Sequence, residues 1–307
     1  MDSTFMNLPA VRIGTRGSAL ARVQAMLAVS ALEAVGARTS VVVVETAGDA
    51  RSPDTAWGEG AFVAAIEEAL LTGSVDVAVH SAKDVPTDVD PRLMIAAYLP
   101  RADPLDALVV RAGIPGSLDD LPRGARIGTD SPRRTGFLLA HRPDLEVRPL
   151  HGNVDTRLRR LDNDEADALV LACAGLDRLG LGHRIAQRLD PELVPPAPGQ
   201  GAVAIQIRSD DHAVATIVTA IDDAPTRLVV EAERAFLIAS GGGCRAPIGA
   251  LAHIRDHELE LLGGYVALDG SSVQFDHIRG PVANGVTLAG HLAASLLAAG
   301  PRVLVGP

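Results

Sequence analysis

The feature that most constrains the fold is a strand-to-helix junction that occurs twice. Ile13-Gly14-Thr15 ends a short apolar strand beginning at Val11, Ser18 opens a helix as its N-cap, and Gly36 stops that helix after Val35. Ile127-Gly128-Thr129 ends a second strand, Ser131 caps, Pro132 suits the first helical position, and the helix runs to His141 before Pro143. Each junction leads into a similar series. After the first come a β-branched run, Val41 to Val44, read as a buried strand, a helix over Ala61 to Leu71, and a strand over Val75 to Val79. After the second come a strand over Glu146 to Leu150, a helix over Val154 to Leu161, and an apolar strand over Ala168 to Ala172. β-α-β-α-β, twice, predicts two similar α/β domains, each with a mostly parallel sheet covered by helices.

The remaining chain follows another pattern. Pro195-Pro196-Ala197-Pro198-Gly199-Gln200-Gly201 is neither helix nor central strand and reads as a crossing between domains, followed by a strand over Ala202 to Ile207. A helix over Thr226 to Ala239 leads to Gly241-Gly242-Gly243-Cys244. Alternating segments at Ile248 to His253, Glu258 to Leu268 and Ser272 to Ile278, closed by a helix over Val286 to Ala299, predict a small α+β third domain.

Composition narrows the function classes. A length of 307 residues accommodates two domains or three if one is small, and 47% apolar with 21% charged residues excludes disorder as the main state. Net charge of −10 repels nucleic acid and anionic lipid except at a local basic patch, and eight aromatics leave little for base stacking. No window reaches the roughly 18 apolar residues of a membrane span. The start, MDSTFMNLPA, lacks a basic region followed by an apolar one, so the protein reads as cytoplasmic. Cys173 and Cys244 build neither a disulfide framework nor a four-thiolate zinc site, and no metal is expected.

Cations gather where anions are favoured. Arg16 lies beside Ser18, and Arg133 and Arg134 occupy the first turn behind Ser131. Free N–H groups and the positive helix end attract an anion there, whereas a cation alone is slightly unfavourable, so these are either anion-binding turns or solvated helix starts. Nine arginines fall between Arg123 and Arg160, three of them on the helix after His151-Gly152-Asn153. Of 28 cations, the one lysine is Lys83, a compact point charge in a chain that otherwise uses guanidinium. His80-Ser81-Ala82-Lys83-Asp84-Val85-Pro86 follows a buried strand at the carboxyl end, where open α/β sheets place ligands. A carboxylate flanked by a cation stays ionised and can stabilise developing positive charge or move a proton; the alternative is a loop ion pair with His80 behind it. Cys173, among small apolar residues, reads as packing. Cys244, after three glycines and before Arg245, reads as a displayed thiol: nucleophile, redox sensor or covalent attachment point.

Taken together the motifs resemble the porphobilinogen deaminase family, whose members are also called hydroxymethylbilane synthases. The matches are Arg12 to Arg16, His80 to Pro86, Gly128-Thr129 with Ser131 to Arg134, Gly152-Asn153, Ala174-Gly175-Leu176, Pro198 to Ala202, Ala232 to Ala235, and Gly242 to Gly249, in the family's order. The resemblance implies two α/β domains like those of periplasmic binding proteins plus a small α+β C-terminal domain. The implied ranges are residues 1–102 with 200–222, residues 103–199, and residues 223–307. It implies a dipyrromethane cofactor, made from two porphobilinogen units and held by a thioether to Cys244, with Asp84 as the catalytic carboxylate. Four porphobilinogens would be joined head to tail with loss of ammonia, and the hydroxymethylbilane released by hydrolysis. Lys83, Ser81, Arg133, Arg134, Ser131, Thr129 and Asp84 would contact the cofactor. Arg16, Ser18, His151, Gly152, Arg157, Arg178 and Gln200 would contact substrate. Expected partners are porphobilinogen and polypyrrole intermediates, with no nucleic acid or membrane, acting on a monomer.

Three residues depart from the family pattern. His151 stands where the family usually has Arg, Asp130 where Ser is more usual, and Glu59 where many members have Lys, in a segment from Gly48 to Gly60 that reads as a lid. The rival expectation is therefore a binding or sensor protein on the same fold, with activity lost through these three changes.

Overall fold

The computed structural model describes residues 10–45, 63–243 and 245–300. The expected lid with Glu59, and the thiol of Cys244, lie outside the described residues. The chain runs β1 (Val11–Thr15), α1 (Ala19–Ala34), β2 (Thr39–Val43), α2 (Ala64–Leu71), β3 (Val77–Ser81), β4 (Leu93–Leu99) and β5 (Asp106–Val110). It continues through β6 (Arg126–Gly128), α3 (Pro132–His141), β7 (Glu146–Arg148), α4 (Val154–Asp162), β8 (Ala168–Ala172), α5 (Cys173–Arg178), β9 (Gln187–Arg188) and β10 (Val203–Arg208). Last come α6 (His212–Val218), α7 (Ala224–Ala239), β11 (Ile248–Arg255), β12 (Glu258–Val266), β13 (Val273–Pro281) and α8 (Gly285–Ala299). Both expected caps form: Ser18 Oγ accepts from Ala21 N at 3.3 Å and Ser131 Oγ from Arg134 N at 3.4 Å.

The described residues form two compact units, one of 10–45, 63–101 and 202–227, the other of 102–201 and 228–300 without 244. The first holds a sheet of order β2-β1-β3-β10-β4, the second a sheet of order β7-β6-β8-β5-β9. In each, three strands are parallel and the fourth is antiparallel to its neighbours. That fourth strand, β5 or β10, follows directly on a passage from one unit into the other. The internal repeat is therefore topological as well as sequential.

A repeated ion bracket shows the same relation in side chains. Arg12, at the head of β1, donates to Asp76 Oδ2 through its backbone N at 2.9 Å and its Nε at 3.0 Å, and to Oδ1 through Nη2 at 2.7 Å. Arg126, at the head of β6, donates in the same way to Asp167, at 2.9, 3.0 and 2.8 Å. Each aspartate takes a further arginine from the end of the antiparallel strand, Arg208 for Asp76 and Arg111 for Asp167. Such bidentate brackets fix register where three strands meet.

Two expectations are corrected. The β-branched run at 41–44 is not buried: β2 is an edge strand, and Val41 and Val43 are exposed. A continuous β-branched run fits an edge as well as a centre, so periodicity alone did not discriminate. Contrary to the expectation from apolar windows, one helical stretch, Val282–Ala299, is long and apolar enough to cross a membrane, with a mean hydropathy of 1.4. Within it α8 buries Ala289, Leu292, Ala293 and Leu296 and packs on β12 and β13 of the three-stranded antiparallel sheet β11-β12-β13 of the second unit.

That small sheet also seats α3. A Cβ on Gly136 would come within 2.6 Å of both the Ala267 carbonyl oxygen and Val266 Cγ1. Glycine is poor in a helix interior, and here it is required by close approach of backbone to backbone. Gly136→Ala is expected to destabilise the second unit by about 1–3 kcal/mol in urea unfolding, despite the better helix propensity of alanine. Unchanged or increased stability would show that α3 does not approach the sheet this closely.

Candidate active site

In the first unit β3 delivers the candidate catalytic segment. Ser81 ends the strand, and Ala82–Asp84 make a single 3-10 turn, closed by Val85 N donating to Ala82 O. Ala82 N donates to Ala202 O at 3.0 Å, which ties the turn to the segment entering β10. Ser81 Oγ accepts from Gln24 Nε2 at 2.8 Å, and Gln24 is buried on α1. Lys83, Asp84, Arg16 and Ser18 are half-buried, in reach of both protein and solvent. Thus Ser81, Lys83 and Asp84 share one turn, and Arg16 and Ser18 share the loop from β1 to α1.

His80 sits behind that turn, buried, with its Nε2 partnered. Its Nε2 lies 3.0 Å from Gln206 Oε1, and Gln206 Nε2 donates to Glu67 Oε1 at 2.8 Å. With the amide nitrogen given to Glu67, the amide oxygen faces His80, so the imidazole proton is on Nε2. Burial, together with the positive charge of nearby Arg16, pushes the His80 pKa down to about 4 even though the Gln206 contact favours the proton. The imidazole is neutral at physiological pH and adds no second cation beside Arg16.

In the second unit the two arginines of the first turn of α3 are buried, and the anion they face belongs to the chain. Asp106 Oδ1 accepts from Arg134 Nη2 at 2.6 Å and Nε at 3.1 Å, and Arg133 Nη1 lies 2.8 Å from Oδ2. Arg134 also donates to Val170 O at 2.9 Å, while Arg133 donates to Pro195 O. Gln200 Nε2 donates to Asp106 Oδ1 at 2.9 Å and to Pro104 O at 2.8 Å. Burial raises the Asp106 carboxyl pKa, but the two guanidinium groups outweigh it and hold the group below the usual carboxylate range. Sequence reasoning missed Asp106. The available signal was an acid at the head of the apolar run Ala107 to Val110, which demands cations, and two arginines that demand an anion.

Of the other predicted residues of this unit, Thr129, His151, Gly152 and Arg157 lie at the starts of α3 and α4, and Arg178 ends α5. Thr129 is buried, and its Oγ1 accepts from Ser131 N at 3.3 Å. Arg157 Nε donates to Gly152 O at 2.7 Å, and Gly152 adopts φ +118, a conformation that side chains rarely allow. Arg178 donates to Gly201 O at 2.6 Å, and burial lowers its pKa. His151 Nδ1 lies 2.9 Å from Asp130 Oδ2. Cys173 is buried at the start of α5, and desolvation with the negative charge of Asp103 pushes its pKa up to about 12, which leaves an inert packing thiol. One aspartate between Arg133 and Arg134 leaves that pair one positive charge in excess, and Arg157, Arg178 and Arg245 belong to the same unit. Such a donor set fits a group that bears carboxylates.

The family model described as "Porphobilinogen deaminase, dipyromethane cofactor binding domain" matches residues 11–216. The chain belongs to the porphobilinogen deaminase family. A second family model, "Porphobilinogen deaminase, C-terminal domain", matches residues 227–298. A porphobilinogen deaminase of Mycobacterium marinum is 45% identical over 312 residues, covering 96% of this chain and 96% of that protein. One of Roseiflexus sp. is 45% identical over 298 residues, covering 95% and 97%. Among solved structures, the methionine binding protein MetQ aligns at 16% identity with a TM-score of 0.46, over 76% of this chain and 96% of that one.

The histidine behind the candidate turn makes stability depend on pH. Its folded pKa of about 4 lies below the ordinary 6.5, so between these values the unfolded chain binds the extra proton. Its contribution is complete above about 6.5 and is lost as pH falls towards 4, amounting to on the order of 3 kcal/mol. Urea unfolding across that window should show this slope in the parent and much less of it in His80→Gln. Equal slopes would mean that His80 is not the titrating group.

Proposed function

We propose that this chain condenses four porphobilinogen molecules head to tail, with release of ammonia, and frees the linear hydroxymethylbilane by hydrolysis. The match of the cofactor-binding family model to residues 11–216 carries this reading. It makes the chain a transferase of tetrapyrrole and haem biosynthesis with a dipyrromethane cofactor. When bound, the dipyrromethane supplies the terminal pyrrole carbon from which the polymer is extended.

The residues of this chain supply charge and position. Porphobilinogen carries an acetate and a propionate, and loss of its ammonia leaves a cationic azafulvene. Asp84 is our candidate catalytic residue: its carboxylate accepts from pyrrole N–H groups and stabilises the positive charge as it develops. Its support is the 3-10 turn, anchored through Ala82 N and held beside Ser81. Lys83, Ser81, Thr129, Ser131, Arg133 and Arg134 are proposed cofactor contacts, with Arg133 and Arg134 acting chiefly through the excess charge of their buried cluster. Arg16, Ser18, His151, Gly152, Arg157, Arg178 and Gln200 are proposed substrate contacts. Cys244 is proposed to carry the cofactor through a thioether, supported by its place between three glycines and Arg245.

We further propose a cytoplasmic monomer that uses neither nucleic acid nor membrane. The net charge of −10 supports this, as do the arginines of 126–160, most of which are spent on carboxylates: Arg126 on Asp167, Arg142 on Asp144, Arg148 on Glu146, Arg159 on Asp155 and Arg160 on Glu165.

Two measurements test the reading. Intact-mass spectrometry of protein from haem-making cells should give the sequence mass plus one dipyrromethane, an increment that Cys244→Ala lacks; a bare mass in the parent removes the cofactor assignment. Asp84→Asn should keep the fold and lower kcat by on the order of 100- to 10,000-fold with porphobilinogen. Near-parent turnover would remove Asp84 from the mechanism.

A further inference from the structure

An internal carboxylate lies against His151, a proposed substrate contact, and near Arg245. Asp130 stands between Thr129 and the N-cap Ser131, just before the first turn of α3, where the positive helix end favours an anion. Its Oδ2 lies 2.9 Å from His151 Nδ1 and 3.7 Å from Arg245 Nη1. The Asp130 and His151 side chains are 16% and 13% exposed, so both are largely withdrawn from water. Three separate stretches, the loop from β6 to α3, the loop from β7 to α4 and the residue after Cys244, therefore bring one carboxylate and two basic side chains together.

The contact has the distance of an ion pair without the alignment of a hydrogen bond. His151 Nδ1 is buried and makes no hydrogen bond among the described residues. A carboxylate held this way lies against both basic groups while leaving the directional capacity of His151 Nδ1 unused. A ligand carboxylate entering there meets the Asp130 charge as well as His151 and Arg245, and gains their full attraction only if Asp130 gives way.

We propose that Asp130 is a specificity-determining residue, filling with its own carboxylate an anion position between His151 and Arg245 and so competing with a carboxylate of porphobilinogen. The proposal rests on the reading of His151 as a substrate contact. It assigns Asp130 the opposite influence to the arginines around it: they attract the polyanion, and Asp130 lowers the hold of this corner of the site.

Steady-state kinetics of the holoenzyme with porphobilinogen test it. Asp130→Ser should lower KM by about 3- to 10-fold, with the change falling on KM and not on kcat, because the gain is in binding common to ground and transition states. Asp130→Asn keeps size and shape while removing the charge, and should move KM in the same direction. His151→Ala should raise KM, and adding it to Asp130→Ser should shrink the gain from the serine, the coupling expected of groups that meet. If His151→Ala raises KM while neither Asp130 variant lowers it, competition by Asp130 is overturned and the substrate role of His151 stands. If His151→Ala leaves KM unchanged, the substrate role of His151 falls, and the competition proposed here falls with it.

Discussion

The second unit depends on one buried carboxylate. Asp106 is fully inaccessible and meets two guanidinium groups and an amide from two distant stretches of chain. A lone charge at that depth is prohibitive, and so are two arginines without an anion; together they form a cluster whose geometry is narrowly set. It joins the head of β5, the first turn of α3 and the passage through Gln200 towards β10. Glu233 braces the same passage from α7, accepting from Gly199 N at 2.7 Å and Ala252 N at 2.8 Å. The segment that leads back to the first unit is thus held on both sides by buried carboxylates of the second.

The brackets of Arg12 with Asp76 and Arg126 with Asp167 work at another level. They recur at equivalent places in two sheets of the same strand order and pin the first, third and antiparallel strands at one end. Loops at the opposite end then start from a fixed base, which is where Ser81 to Asp84 and Thr129 to Ser131 occur. Fixed strand ends below varied loops are the usual relation between scaffold and site in open α/β sheets.

Charge placement explains why so many arginines suit an acidic chain. Those of α4 and the neighbouring strands pair with nearby aspartate and glutamate, which leaves the sheet surface mixed in sign. Positive charge gathers at the starts of α3 and α4 and just after Cys244 in the sequence, where Arg133, Arg134, Arg157 and Arg245 lie. Asp130 tempers it there, so the attraction for a polyanion reflects a balance between opposed groups and not a simple count of guanidinium.

Local order was legible in the sequence. The helices at Pro132–His141 and Ala19–Ala34, their serine caps, the strand at Ala168–Ala172 and the turn carrying Asp84 follow from periodicity, capping chemistry and the position of glycine and proline. The motifs also identified the family, because they are short, ordered stretches read without distance. Contacts between remote residues were decided only by tertiary structure: that β2 is an edge, that β5 inserts antiparallel into the second sheet, that Asp106 answers Arg133 and Arg134, and that Asp130 meets His151. The reason is physical. Backbone propensity and capping act over a few residues and are written into neighbouring letters, whereas the partner of a buried charge is whichever group the folded chain brings within about 3 Å, and sequence separation carries no record of that distance.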